Sequence, residues 1–510
     1  MRKRFTRLHC IMHLTGMFLE LLALLLLLPL LFWALTRFTD YNSPESWRTF
    51  LAFIIPAAAS LVLGLFMRLH FKNTGLDLTS SMLLCTVAWL AASALGAIPF
   101  CIAIDASYID AYFEAMSGFT TTGITVFSGL DDMPHSILFW RSLTQWLGGI
   151  GILSFFLLAA LGTEGTHYMA GAEAHKISSG RPAPGMFSTL KILWGIYTLF
   201  TLAAGLSYAL AGMSIFDSAC HALTTLSTGG FSPHDASIAF YRDGYAHYKL
   251  IEYLVTFFMM LGGINFLVHF RVLTGDFKAL WDNIEVRYWW RMLLAFTGFI
   301  MIEHLWESGA LKQLFSAGSG VTLGDMEHIF RTTIFQVIGV LTTTGFGTED
   351  IGSDFFPAVT RQLFLVMMVI GGCVGSTGGG FKVLRIAILN KVMKRELFRI
   401  RNSSKTVSPI VIDRKAVSDD EVHRVSGLFF IWIVFLIVGG AITALFSSHG
   451  PWESLSGMFS AVGNIGPCYM SVAEMIEIHP LVKITYIIGM LAGRLEIIPV
   501  LLLFSRRSWK

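Results

Sequence analysis

Thr120-Thr121-Thr122-Gly123, Ser227-Thr228-Gly229-Gly230, Thr342-Thr343-Thr344-Gly345 and Gly463-Asn464-Ile465-Gly466 are one short pattern written four times. Their final glycines are spaced by 107, 115 and 121 residues. Each segment follows a half-polar stretch too short to cross a bilayer. Each precedes an apolar run holding a small-residue pair: Gly148-Gly149, Gly262-Gly263, Gly371-Gly372 and Ala492-Gly493. The second member of that pair lies 26, 33, 27 and 27 residues past the glycine. Recurrence at two landmarks in four places marks an internal repeat. Its unit reads helix, short re-entrant helix, Thr/Gly segment, helix. A unit that crosses twice preserves direction, so all four point the same way and can surround one axis.

The rest of the chain agrees with a membrane setting. Of its 510 residues, 54% are hydrophobic and 14% charged, against roughly a quarter charged in soluble domains. Mean hydropathy is +0.64. Apolar runs fall near 14–36, 50–67, 80–103, 138–160, 191–212, 250–270, 290–306, 362–390, 425–446 and 482–504. They are continuous rather than alternating, which favours helices over a barrel, and each approaches the ~20 residues that span a bilayer. The first run exceeds the ~7–15-residue core of a cleaved signal peptide, so it reads as a retained helix. Ten crossings put both ends on one side. Segments on that side carry 27 of the 37 Lys and Arg, the last at Arg506, Arg507 and Lys510, so both termini are expected in the cytoplasm. The six cysteines show no disulfide or zinc spacing. The expected fold is an all-α polytopic membrane protein: an extra two-helix region over 1–75, then pore repeats over 76–160, 190–271, 288–390 and 425–510.

Irregular backbone at membrane depth survives only against protein or a water-filled cavity. A Thr-Thr-Gly segment after a short helix offers carbonyls and hydroxyls as ligands, and glycine lets successive carbonyls point one way. Rings of carbonyls that replace a hydration shell are the basis of potassium filters. The filter candidates are Thr121, Thr122, Gly123, Thr228, Gly229, Gly230, Thr343, Thr344, Gly345, Asn464, Ile465 and Gly466. Membrane glycines also serve helix packing, but that alone does not explain four segments in register. Gly229 and Gly230 compete for the filter position. Glu114 to Gly123, His221 to Gly230 and Gln336 to Gly345 are each nine residues, which favours Gly230.

These segments, with Ser117-Gly118-Phe119, Gly230-Phe231-Ser232, the run Gly371-Gly372-Cys373-Val374-Gly375-Ser376-Thr377-Gly378-Gly379-Gly380 and Gly493-Arg494-Leu495-Glu496, resemble the Trk/Ktr/HKT superfamily of cation transporters. The two extra N-terminal helices make the chain most similar to its bacterial Trk-type membrane subunits. The resemblance implies potassium uptake across a bacterial inner membrane, a homodimer with one pore per protomer, and a cytoplasmic nucleotide-binding regulatory ring. It also implies that glycine at all four filter positions goes with K+ as the transported ion. Asn464 and Ile465 depart from the threonines of the other repeats, so the fourth wall is expected to offer backbone rather than side-chain ligands.

The eighth run is too long for one crossing and breaks between Gly371 and Gly380, where six of ten residues are glycine and helix is costly. The expected gate is a flexible loop beneath the filter made of Gly371, Gly372, Gly375, Ser376, Thr377, Gly378, Gly379 and Gly380, with a kinked packing helix as the alternative. Arg494 lies deep in the last run, 12 residues from Arg506, roughly 18 Å of helix. It should therefore face the bundle interior. By the resemblance it borders the pore below the filter, either opposing cation dwell or acting as a structural anchor to Glu496 or to loop carbonyls. Outer acids such as Asp105, Asp110, Asp131, Asp235 and Glu349 are expected to raise local cation concentration. The basic stretch 390–424 suits docking of a regulator. A proton- or sodium-coupled symporter is the competing function. It needs intramembrane carboxylates, and Glu20, Glu252, Glu303 and Glu496 sit near span ends or outside the filter repeat. A membrane-embedded enzyme lacks any nucleophile–base pair or metal motif. No organic cofactor and no nucleic-acid partner is expected; lipid is.

Overall fold

A computed structural model describes residues 6–39, 44–151, 154, 186–309, 322–402 and 408–509. Two helical stretches precede the repeats. Thr6–Leu25 turns at Pro29 into Leu30–Thr39, and Trp47–His70 packs against the first of these. The pair is close because Gly16 and Gly64 face each other: a Cβ on Gly16 would lie 2.6 Å from the Gly64 carbonyl oxygen. Arg68 closes the same contact on Glu20 at 3.1 Å.

Four units of one design follow. Their outer helices are Leu78–Gly96, Met186–Leu210, Ile284–Glu307 and Asp419–Phe446. The pore helices are Tyr108–Phe119, Ile215–Leu226 and Pro451–Gly463, all short, and the longer Leu323–Leu341 of 19 residues. The inner helices are His135–Gly149, Tyr248–Gly263, Ala358–Ile370 and Pro480–Arg494. The pore helices start for a shared local reason. Ser107, Ser214 and Thr322 each accept the backbone N–H three residues on, from Asp110, Asp217 and Asp325, which satisfies one free donor of the first turn. The fourth begins on Gly450 with Pro451 at the first helical position.

The inner runs are not continuous crossings. Each breaks at its small-residue pair, where Gly149, Gly263, Ile370 and Arg494 end the helix. The second unit bends there by 105° into Phe266–Leu273. Among the described residues five helices are long and apolar enough to cross a membrane, or six with that bent pair as one span. Hydropathy reads through such a break because both halves are apolar, so 250–270 and 482–504 look unbroken in sequence, whereas the glycines of 371–380 mark the break in 362–390. The far end of 138–160, with His167 and His175 beyond it, lies outside the described residues. The all-α expectation has one small exception, an antiparallel hairpin pairing Val411–Ile412 with Lys415–Ala416.

Buried polar clamps join the units. Glu114, fully buried on the first pore helix, pairs with Arg141 at 2.7 Å and accepts from the Thr125 hydroxyl and the Val126 N–H. Arg141 also donates to the Ser232 carbonyl in the second unit at 3.0 Å. Glu252 takes Arg242 at 2.7 Å on one oxygen and Arg331 of the third unit on the other. Asp110 holds Lys483 of the fourth unit at 2.5 Å. Glu114→Ala would leave the Arg141 guanidinium buried without its carboxylate. Such a break costs about 3–5 kcal/mol, to be seen as a lowered thermal midpoint of the purified protein in detergent; an unchanged midpoint would show the pair is idle.

Candidate functional site: a fourfold ring of Thr/Gly segments over a glycine loop

The four segments take one backbone conformation. Thr121, Thr228, Thr343 and Asn464 have φ of 53°, 53°, 61° and 54°; Gly123, Gly230, Gly345 and Gly466 have 81°, 77°, 81° and 107°. Left-handed φ is a genuine outlier for β-branched threonine and costs of order 1–3 kcal/mol where it persists. Asn tolerates it, so Asn464 occupies the place of the other units' threonine. The register aligns Gly230 with Gly123 and Gly345, and sets Gly229 beside Thr122, Thr344 and Ile465.

The segments also touch in a closed cycle. A Cβ on Gly123 would overlap the Gly229 carbonyl oxygen, one on Gly230 that of Thr344, and one on Gly345 that of Ile465. A Cβ on Gly466 would lie 3.1 Å from the Thr122 oxygen. Each unit therefore meets the next in chain order, and the fourth returns to the first. The carbonyls of residues 122, 229, 344 and 465 make one tier of this ring.

The side chains brace it. Thr122 and Thr344 hydroxyls bond those of Thr120 and Thr342, each at 2.7 Å. Asn464 donates to the Thr122 hydroxyl at 2.8 Å and to the Met490 carbonyl at 3.0 Å. The Thr228 hydroxyl bonds the Ser227 carbonyl at 2.7 Å. Gln145 of the first unit donates to the Gly229 oxygen and accepts from the Phe231 N–H, at 2.8 and 3.0 Å. All four pore helices end at this ring, which turns the partial negative charge of their C-termini toward it and favours a cation there.

Gly371–Gly380 lies directly against the ring. The Gly379 N–H donates to the Thr343 hydroxyl at 2.6 Å, and a Cβ on Gly378 would come 2.8 Å from the Thr342 oxygen. The Thr377 hydroxyl donates to the Leu226 and Gly262 carbonyls at 2.9 and 3.0 Å. The Cys373 N–H reaches Gly263 O at 3.0 Å, and the Gly375 oxygen accepts the Phe266 N–H at 3.0 Å. The Gly372 N–H bonds Gly379 O at 3.2 Å, so the loop doubles back on itself with Ser376 at its bend.

Arg494 joins these parts. It donates to the Thr377 carbonyl at 2.8 Å, the Thr121 hydroxyl at 3.1 Å, the Gly149 carbonyl at 2.6 Å, and Gly148. Loop-carbonyl anchoring, one of its two anticipated anchors, is thus present. Glu496, the other candidate, meets Arg385 at 2.6 Å. Sequence reasoning passed over Arg385, Lys382 and Glu285. Lys382 donates to the Gly378 carbonyl from a strained φ of 85°; in the sequence it was one more basic residue of the inner side. The outer acids are mostly engaged: Asp105 by Arg48, Asp131 by His234 at 2.5 Å, Asp235 by the Gly129 N–H at 2.9 Å, Glu349 by Arg242 at 3.3 Å. Burial opposes the charged form of His234, but the Asp217 and Asp131 carboxylates override it and raise its pKa.

Residues 47–510 match the family model described as TrkH, cation transport protein. The chain is 33% identical to the Trk system potassium uptake protein TrkH of Escherichia coli K12, over 84% of this chain and 85% of that one. Its identity to the TrkH of Halomonas elongata is 30%, over 99% of both. The crystal structure of the potassium transporter TrkH from Vibrio parahaemolyticus superposes with a TM-score of 0.82 at 28% identity, covering 99% of this chain and all of that one. With four units in a closed ring, two helices ahead of them and a family match across nearly the whole sequence, this chain belongs to the TrkH cation transport protein family.

Proposed function

We propose that this chain carries potassium into a bacterial cell across the inner membrane, through the four-segment ring as selectivity filter and past Gly371–Gly380 as gate. The closed cycle of glycines and carbonyls carries this reading. The threonine and asparagine side chains are spent on bracing, so the backbone oxygens of residues 122, 344 and 465, with that of Gly229 also held by Gln145, are the ones to replace water around a dehydrated cation. The pore repeats 76–160, 190–271, 288–390 and 425–510 each supply one wall, and both termini face the cytoplasm. Relatives named as potassium uptake proteins of the Trk system support the choice of ion. A homodimer regulated by a cytoplasmic nucleotide-binding ring on the basic 390–424 side completes the assembly.

Channel-like passage is favoured over symport because the candidate relay carboxylates are engaged. Glu20 meets Arg68, Glu252 meets Arg242 and Arg331, and Glu496 meets Arg385. Glu303 accepts the Val359 N–H at 3.0 Å and the Thr360 hydroxyl at 2.5 Å. Potassium and sodium flux into liposomes holding the purified chain, with and without an imposed pH gradient, tests the reading. Saturating potassium flux that exceeds sodium flux and ignores the gradient is expected. Flux that requires the gradient would make the protein a symporter.

A further inference from the structure

Glu285 stands in the first turn of the third outer helix, Ile284–Glu307, and its side chain is buried with 2% exposure. A carboxylate out of water needs donors, and this one takes them from the glycine loop and its exit. The oxygen Oε1 accepts the Val374 N–H, inside the loop, at 2.7 Å, and the Leu384 N–H at 3.2 Å. Leu384 lies in the first turn of Val383–Arg401, the helix that leaves the loop. That turn exposes unsatisfied donors and positive dipole, both of which favour an anion. One buried carboxyl oxygen thus pins the entering and leaving limbs of the loop to a helix that is not part of it.

The pin continues to the surface. Asp413, at the turn of the small hairpin, accepts the N–H of Ile284, next to Glu285, at 2.9 Å. Lys391 on the exit helix donates to the Val411 carbonyl of the same hairpin at 2.5 Å. The hairpin therefore bridges the helix that carries the carboxylate and the helix that follows the loop.

We propose that Glu285 is the positioning residue that latches the loop beneath the ring, and that hairpin 410–417 braces that latch from the surface. This rests on the gate reading of Gly371–Gly380. Glu285→Gln keeps the shape but offers an amide oxygen in place of a carboxyl oxygen, a weaker acceptor than a carboxylate for the two N–H donors, so the closed state is weakened.

The test uses the full chain in liposomes without any regulator and reads potassium flux and the potassium-to-sodium ratio. Glu285→Gln should raise basal potassium flux about tenfold, the factor given by about 1.4 kcal/mol, with the ratio unchanged. Glu285→Asp should fall between it and wild type. Asp413→Asn, at the surface, should give a smaller rise in the same direction and serves if the Gln variant does not fold. A chain lacking 375–379 is the control for the gate itself. High flux in that chain with wild-type flux in the Glu285 and Asp413 variants would overturn the latch and leave the gate standing. Wild-type flux in all of them would remove the gate reading and the latch with it. A rise accompanied by loss of the ratio would mean damage to the ring, and would also overturn the latch.

Discussion

Gly345→Ser and Gly123→Ser each lower potassium-over-sodium discrimination by at least about tenfold, a cost of about 1.4 kcal/mol. A Cβ at 345 overlaps the Ile465 carbonyl oxygen and one at 123 overlaps that of Gly229. Neither clash is relieved by a rotamer change, because the atom struck is backbone. The substituted residue must also hold φ of 81°, which L side chains rarely adopt. The ring has to open at that seam, and a wider ring fits potassium less closely. Gly129→Ser is the control: φ there is 71°, but a Cβ would meet nothing within 4 Å, so discrimination should hold. Flux ratios in liposomes decide it. An unchanged ratio in both ring variants would remove these glycines from the filter.

The second large effect is at Arg494. Arg494→Ala should raise basal potassium flux about tenfold or more, since it deletes donors to Thr377, Thr121, Gly148 and Gly149 at one stroke, each bond to a charged group contributing about 1.5–3 kcal/mol. It also removes a fixed positive charge beside the ring. Arg494→Lys keeps the charge but not the fork of donors. A high flux in Ala with a wild-type flux in Lys would assign the effect to charge; elevated flux in both assigns it to the lost anchoring. Reduced flux in correctly folded Ala protein would count against any closing role.

Much of this arrangement was legible in the sequence because the repeat is written in residue types with narrow backbone tolerances. Glycine at four spaced positions, preceded in three of them by residues whose hydroxyls can brace a turn, marked the segments without any fold information. The nine-residue count that selected Gly230 agrees with its φ of 77°, beside 81° at Gly123 and Gly345. A third landmark was available and unused: Ser107-x-x-Asp110, Ser214-x-x-Asp217 and Thr322-x-x-Asp325 each open a pore helix, the third one further upstream of its glycine because that helix is longer. Asn464 looked like a defect in the pattern only because side-chain type was compared. Its left-handed backbone is what the position demands, and asparagine meets that demand more cheaply than threonine.

Other features were hidden for physical reasons. Hydropathy averages over a window, so it cannot register a helix that stops at Gly263 and resumes at Phe266. The clamps pair residues far apart in the chain, Glu285 with Val374 and Leu384, Arg385 with Glu496, and Arg141 with Glu114 and Ser232. No local signal names such partners. Outer carboxylates expected to raise local cation concentration are mostly tied to bases and backbone N–H groups, which limits their reach as a cation-gathering field.

The most direct measurement of the central claim is the position of the ion. Crystals of the protein grown in rubidium chloride, with diffraction collected at the rubidium absorption edge, locate the cation by anomalous scattering. Peaks on the axis of the ring, within ligand distance of the carbonyl oxygens of Thr122, Gly229, Thr344 and Ile465, are the result predicted. Peaks elsewhere, with none on that axis in well-ordered crystals, would contradict the ring as the filter.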